Sequence, residues 1–280
     1  MIRFLLIFLF INNINAQEIS KACLVPEGRS VKSTEKGLTF QWEERMRLFQ
    51  PRQKKEFQEL MAQIYQIFQK EFSYKKISAP MRIRVFGKKR VFQRCLRAMR
   101  KKSSGAPFYS PKLDRIFMFK NRNTPWKRTL KTLLHEGTHF IFNKEILGKA
   151  IIFNEGLAVF MSNLKWRPGK TGVFVGPHPR FENVLKNSRG LYSLDRFFRL
   201  SNREWQKTPK VSYPQSYSLV YFLKDTSPDT LKKVINYLKT PPRQRATYHK
   251  FFQKNYPGGM RSLEGQWKAW IRRPRKQINF

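Results

Sequence analysis

Two of the chain's four histidines stand four residues apart, His135 and His139 in "LLHEGTHFIF". Residues at that spacing project from one side of an α-helix. The surrounding letters ask for a helix. Thr124 reads as an N-cap and Pro125 as the first helical residue. Leu130, Leu133, Leu134 and Ile141 then carry an apolar face through the motif. Any fold must therefore present both imidazoles from the middle of one helix.

Two imidazoles so placed can point at a single ion. A zinc ion takes nitrogen and oxygen ligands tetrahedrally, and a catalytic zinc keeps one position open. The third protein ligand must come from elsewhere, and Glu155 in "FNEGLAVF" is the candidate. Fifteen residues separate it from His139. That gap suits the end of one helix, a turn near Gly148, and a second helix, "IIFNEGLAVFMSNL", packed on the first. Glu136 follows His135 directly and so points beside the ion. There it is placed as a general base toward an activated water, and later as proton donor to a leaving amine. His178 and His249 fall outside this group and read as ordinary loop or surface residues.

The rest of the chain supplies a scaffold. "PRQKKEFQELMAQIYQIFQKEF" predicts a helix opening at Pro51, with Phe57, Leu60, Met61, Ile64, Phe68 and Phe72 on one side. "MRIRVFG" alternates as a strand. "RVFQRCLRAMRKK" reads as a short helix. Phe108-Tyr109 and Ile116 to Phe119 read as short strands. Ile116–Phe119 is either a plain structural strand or the edge of a cleft, to which an extended peptide adds by backbone hydrogen bonds. Beyond the motif come a Gly/Pro-rich loop over 165–190 and helices at "SLDRFFRLS", "YPQSYSLVYFLKD", "PDTLKKVINYLKT" and "SLEGQWKAWIR". Residues 17–50 show no clear period. The expected fold class is α+β: a small α/β part with a few-stranded mixed sheet over 51–124, then a helical part over 125–280.

With those segments in view, the chain resembles the gluzincin metallopeptidases, the thermolysin-like clan whose third ligand is a glutamate. More narrowly, H-E-x-T-H followed by E-G-x-A resembles the peptidase-MA-like proteins of bacteria. "APFYSPKLDRIFMF" looks like that group's hairpin ahead of the active-site helix. "SLDRFFRLS", "YPQSYSLVYFL" and "LEGQWKAWI" look like its later helices. The likeness runs from about Pro51 to Arg272. It implies a zincin-like architecture with the active-site helix between the two parts, one zinc ion on His135, His139 and Glu155, and Glu136 as base. Tyr213, or Tyr217 one turn on, is implied as a hydrogen-bond donor to the transition state. The group often carries an acidic residue where Val159 stands here, which leaves the outer surroundings of the ligands open.

Composition bears on partners and compartment. Lys and Arg total 57 against 18 Asp and Glu, a formal net charge of +39. "MIRFLLIFLFINNINA" reads as a signal peptide over 1–16, with a short positive start, an eight-residue apolar run and a small-residue cleavage site after Ala16. No later segment is apolar for long enough to span a bilayer. Residues 17–50 then form an N-terminal extension compatible with a propeptide. Export to a periplasmic or secreted location makes nucleic acid an improbable partner despite the charge. Anionic envelope polymers or lipid headgroups fit better, beside a peptide or protein substrate. Cys23 and Cys95, the only cysteines, are expected to pair in an oxidising compartment. The functional expectation is an exported zinc peptidase. A silent, basic envelope-binding protein that keeps the fold, or a metal-dependent hydrolase of peptidoglycan or another non-protein amide, are the alternatives.

Overall fold

A computed structural model describes residues 23, 29–44, 48–99, 106–120, 123–146, 148, 150–166, 172–186 and 190–280. The expected signal peptide over 1–16 and its expected cleavage site after Ala16 lie outside these residues. The fold is α+β, a mixed five-stranded sheet and many helices. Among the described residues no helix is long and apolar enough to cross a membrane.

The sheet contains β1 (Arg29–Glu35), β2 (Leu38–Glu44), β3 (Met81–Phe86), β4 (Phe108–Ser110) and β5 (Arg115–Phe119). Their spatial order is β1-β2-β3-β5-β4. The two outer pairs are antiparallel, and β3 runs parallel to both β2 and β5. Two open points of the sequence reading are settled here. Within residues 17–50, where the sequence shows no clear period, 29–44 form a hairpin whose second strand alternates buried Leu38, Phe40 and Trp42 into the core. Of the two readings for Ile116–Phe119 the plain structural strand holds, because β5 lies between β3 and β4. The edge is β4.

Helices cover both faces of the sheet. On one side lie α1 (Pro51–Phe72) and α3 (Trp126–Phe142). α1 starts at Pro51 as expected and buries Phe57, Leu60, Met61, Ile64, Phe68 and Phe72. Phe57 meets Phe40 and Trp42 edge to face. On the other side α2 (Lys89–Ala98) buries Phe92, Cys95 and Leu96 against Phe86 and Phe117. Cys95 is bonded there to Cys23, as the pairing expectation has it. Arg84 fixes the same segment, donating to the Cys23 carbonyl over 2.7 Å and to Glu43 over 2.6 Å.

The second half is mostly helical: α4 (Ile151–Met161), α5 (Pro179–Lys186), α6 (Leu194–Arg199), α7 (Asn202–Lys207), α8 (Pro209–Thr226), α9 (Pro228–Lys239), α10 (Tyr248–Asn255) and α11 (Gly259–Trp270). It is not helices alone. β6 (Leu164–Trp166), β7 (Val173–Val175) and β8 (Ile278–Asn279) form a small antiparallel sheet. So the predicted loop over 165–190 carries the end of one strand, all of another, and α5. Strands this short draw their stability from pairing, not from a pattern of their own.

Candidate metal centre

α3 begins one residue later than expected. Pro125 is the N-cap, with extended ψ of 141°, and Trp126 is the first helical residue. The apolar face holds: Leu130, Leu133, Leu134, Phe140, Ile141 and Phe142 are buried. That burial turns His135 and His139 together toward α4. α4 in turn approaches α8 so closely that a Cβ on Gly156 would lie 2.6 Å from the Ser216 carbonyl oxygen. Glycine at this point lets α4 seat against α8 and bring Glu155 under the imidazoles.

The three side chains converge. His135 Nε2 and His139 Nε2 are 3.1 Å apart. Glu155 Oε2 lies 3.4 Å from the first and 3.6 Å from the second. A tetrahedral zinc with ligand bonds of 2.0–2.1 Å has ligand–ligand edges of about 3.3 Å. The observed triangle is therefore the right size for one ion. Glu155 Oε2 is also buried and makes no hydrogen bond. A carboxylate oxygen facing two imidazole nitrogens at these distances is an arrangement that one shared cation would satisfy. His135, His139 and Glu155 thus form a group able to bind a metal ion.

Outer partners orient these candidate ligands. His139 Nδ1 lies 2.8 Å from Asn154 Oδ1, so Nδ1 donates there and Nε2 is the nitrogen turned toward His135 and Glu155. Asn154 escaped the sequence reading, although its place directly before Glu155 was a usable signal. Val159, where the resembled group often has an acid, is buried and apolar. Asn154 supplies the histidine's polar partner instead.

Electrostatics couple the group tightly. Burial alone would raise Glu155, but the charges and contacts of both histidines outweigh it and hold the carboxyl well below the usual range. Burial would lower His139; the Glu155 carboxylate, helped by Glu136 and Asn154, lifts it to about 9. Burial raises Glu136 above an ordinary carboxylate, opposed by both histidines and by the Tyr109 N–H. That N–H donates to Glu136 Oε2 over 2.7 Å. A backbone donor on a neighbouring strand left no mark in the sequence.

Glu136 and the ligands line a cavity of about 320 Å³ whose wall includes Pro107, Phe108 and Tyr109 from the β4 edge. Tyr213 lines it too, and burial followed by the charges of Glu155 and Glu136 raises its hydroxyl above the ordinary range. Tyr213 sits in the second turn of α8, not at its opening, because the helix starts at Pro209. Tyr217 points elsewhere: fully buried, its hydroxyl accepts from the His178 N–H at 2.9 Å. The two remaining histidines stand apart from the group, His178 in a loop and His249 on a partly exposed helix face, as the sequence suggests. His178 is half-buried, with its ring stacked on Phe181, and burial followed by the charge of Lys131 lowers it to about 4. His249 lies on α10, with Nδ1 2.7 Å from Asp195. A larger cavity of about 690 Å³ opens beside His249, away from the ligand group.

No protein-family model matches this chain, and no curated protein matches its sequence. The functional reading rests on the geometry above.

Proposed function

We propose that this protein is an exported zinc-dependent peptidase of zincin-like, gluzincin-type architecture. The observation that carries the reading is the convergence of Glu155 Oε2 with two imidazole nitrogens, with Glu136 beside them on the wall of the same cavity. His135, His139 and Glu155 hold the ion. Zinc held there supplies Lewis acidity, which activates water at neutral pH and polarises a carbonyl.

The chain's own groups do the rest. Glu136, raised by burial, is suited to take a proton from the attacking water and return it to the leaving amine. The Tyr109 N–H fixes its carboxylate, so the acceptor is aimed before substrate arrives. Tyr213, kept protonated, donates toward the oxyanion. β4 offers its edge to an extended peptide. The Cys23–Cys95 bond supports a life in an oxidising compartment, where the signal segment would deliver the chain.

The charge of +39 favours a second reading, a basic envelope-associated binder that keeps the fold without turnover. The two separate cleanly. Zinc content is measured on purified protein, and digestion of a general protein substrate is compared for wild type and Glu136→Gln. Zinc with activity that vanishes in the variant supports the peptidase. Zinc without activity on proteins, and with activity on peptidoglycan, moves the reading to a non-protein amide; no activity on either leaves the binder.

A further inference from the structure

The face of α3 that carries His135 continues as a row of lysines. Lys127 and Lys131 precede it by two turns and one turn, so along the axis they stand about 12 and 6 Å before the histidine. Lys165, on β6, joins them: its charge and that of Lys127 both act on Lys131. Lys131 is half-buried and donates to Asn163 Oδ1 over 2.9 Å, a neutral partner. Asn163 is itself buried and tied to the Val159 carbonyl at 2.8 Å. The ammonium group is therefore held in place.

These cations lack counter-charges. Other part-buried lysines of the chain have them: Lys54 pairs with Glu44, Lys144 with Asp114, Lys224 with Glu71 and Lys239 with Glu145. Among the described residues no carboxylate pairs with Lys127, Lys131 or Lys165. Nearby, Lys131 also acts on His178, whose Nδ1 is buried without a hydrogen-bond partner. Lys131 is part-buried and the exposed Lys127 and Lys165 add charge of the same sign beside it; a ligand carrying the opposite charge relieves that repulsion.

We infer that Lys127, Lys131 and Lys165 form an anion subsite that selects peptides bearing an acidic side chain close to the cleaved bond. This substrate class rests on the peptidase reading. An extended peptide advances about 3.3 Å per residue. Lys131 and Lys127 are thus within reach of side chains about two to four residues from the metal centre.

Binding is the direct test, because it does not require turnover. The zinc-loaded full chain carrying Glu136→Gln is titrated with fluorescent decapeptides in which one glutamate is moved through a neutral sequence. The all-glutamine peptide is the reference. At one or two glutamate positions the affinity should exceed the reference about tenfold, and the gain should shrink in high salt. Adding Lys131→Gln and Lys165→Gln should cut the gain to about twofold or less, with zinc content retained. The charge reversals Lys131→Glu and Lys165→Glu should turn the preference toward lysine-bearing peptides. Equal binding of all peptides, or a glutamate preference that survives the lysine changes, overturns the subsite. So does loss of binding to anionic phospholipid vesicles without loss of peptide preference, which would assign the lysines to a membrane surface. Failure of the peptidase reading looks different: wild type would bind the acidic peptides selectively and cut none.

Discussion

The backbone N–H of Tyr109 donates to Oε2 of Glu136 across 2.7 Å, joining the edge strand of the sheet to the helix that carries both histidines. The strand is itself tied down. The Tyr109 hydroxyl donates to Asp114 at 2.8 Å, and Lys144, just past the end of α3, holds the same carboxylate at 2.7 Å. Strand, turn and helix thus form a closed loop of contacts around the proposed base.

Replacing Glu136 by glutamine keeps an oxygen able to accept from Tyr109 but removes proton transfer. Hydrolysis should fall by about 10²–10⁴-fold while zinc content stays at the wild-type level. Parallel turnover and metal measurements on the two proteins check this. A comparable loss of zinc would instead make Glu136 a ligand.

Asn154→Ala removes the acceptor that fixes the His139 tautomer. Zinc affinity should drop about 10–100-fold, with the fold retained. Competition against a chelator of known affinity reads the change.

The metal-free protein should respond to pH through His139 and Glu155. His139 is raised from 6.5 to about 9, so its stabilising contribution is complete below 6.5 and lost as pH rises through 9. Glu155 is depressed, so its contribution is present above 4.5 and lost as pH falls toward its lower folded value. Melting temperature without metal should therefore decline from pH 6.5 to 9. Zinc must displace the proton on His139, so its affinity should climb about tenfold per pH unit over that span. The gap between loaded and metal-free melting temperatures should widen accordingly.

Much of this centre could be read from the letters. α3 was legible because Leu130, Leu133, Leu134 and Ile141 impose a helical period, and the histidine spacing rides on that period. The Tyr109 contact was not legible, because it depends on which strand ends up at the edge. β5 pairs with β3 in parallel and puts β4 outside it, an outcome of long-range pairing, not of local pattern. β1 was missed because "RSVKSTE" is largely polar and exposes Val31; its ladder with β2 holds it. Tyr213 and Tyr217 were inseparable by spacing alone. Only the packing of Tyr217 against His178 and Phe181 divides them.

Gly156→Ala should damage the centre without touching a ligand. The added Cβ would meet the Ser216 carbonyl oxygen at 2.6 Å and Val220 Cγ2 at 2.8 Å. Backbone cannot step aside as a side chain can, so α4 must shift and carry Glu155 with it. A loss of about 1–3 kcal/mol in stability is expected, with weaker zinc binding. Gly137→Ala is the control: the nearest atoms to its Cβ belong to the flexible Met61 side chain, and denaturant melts should show the smaller loss there.

X-ray absorption at the zinc edge, recorded on the purified full chain with quantified metal content, tests the convergence of His135, His139 and Glu155 most directly. One zinc per chain is expected, with two imidazole nitrogens and a carboxylate oxygen at about 2.0–2.1 Å, and with that oxygen and most of the zinc lost in Glu155→Ala. Absence of stoichiometric zinc, or a ligand set unchanged by removing Glu155, would contradict the account.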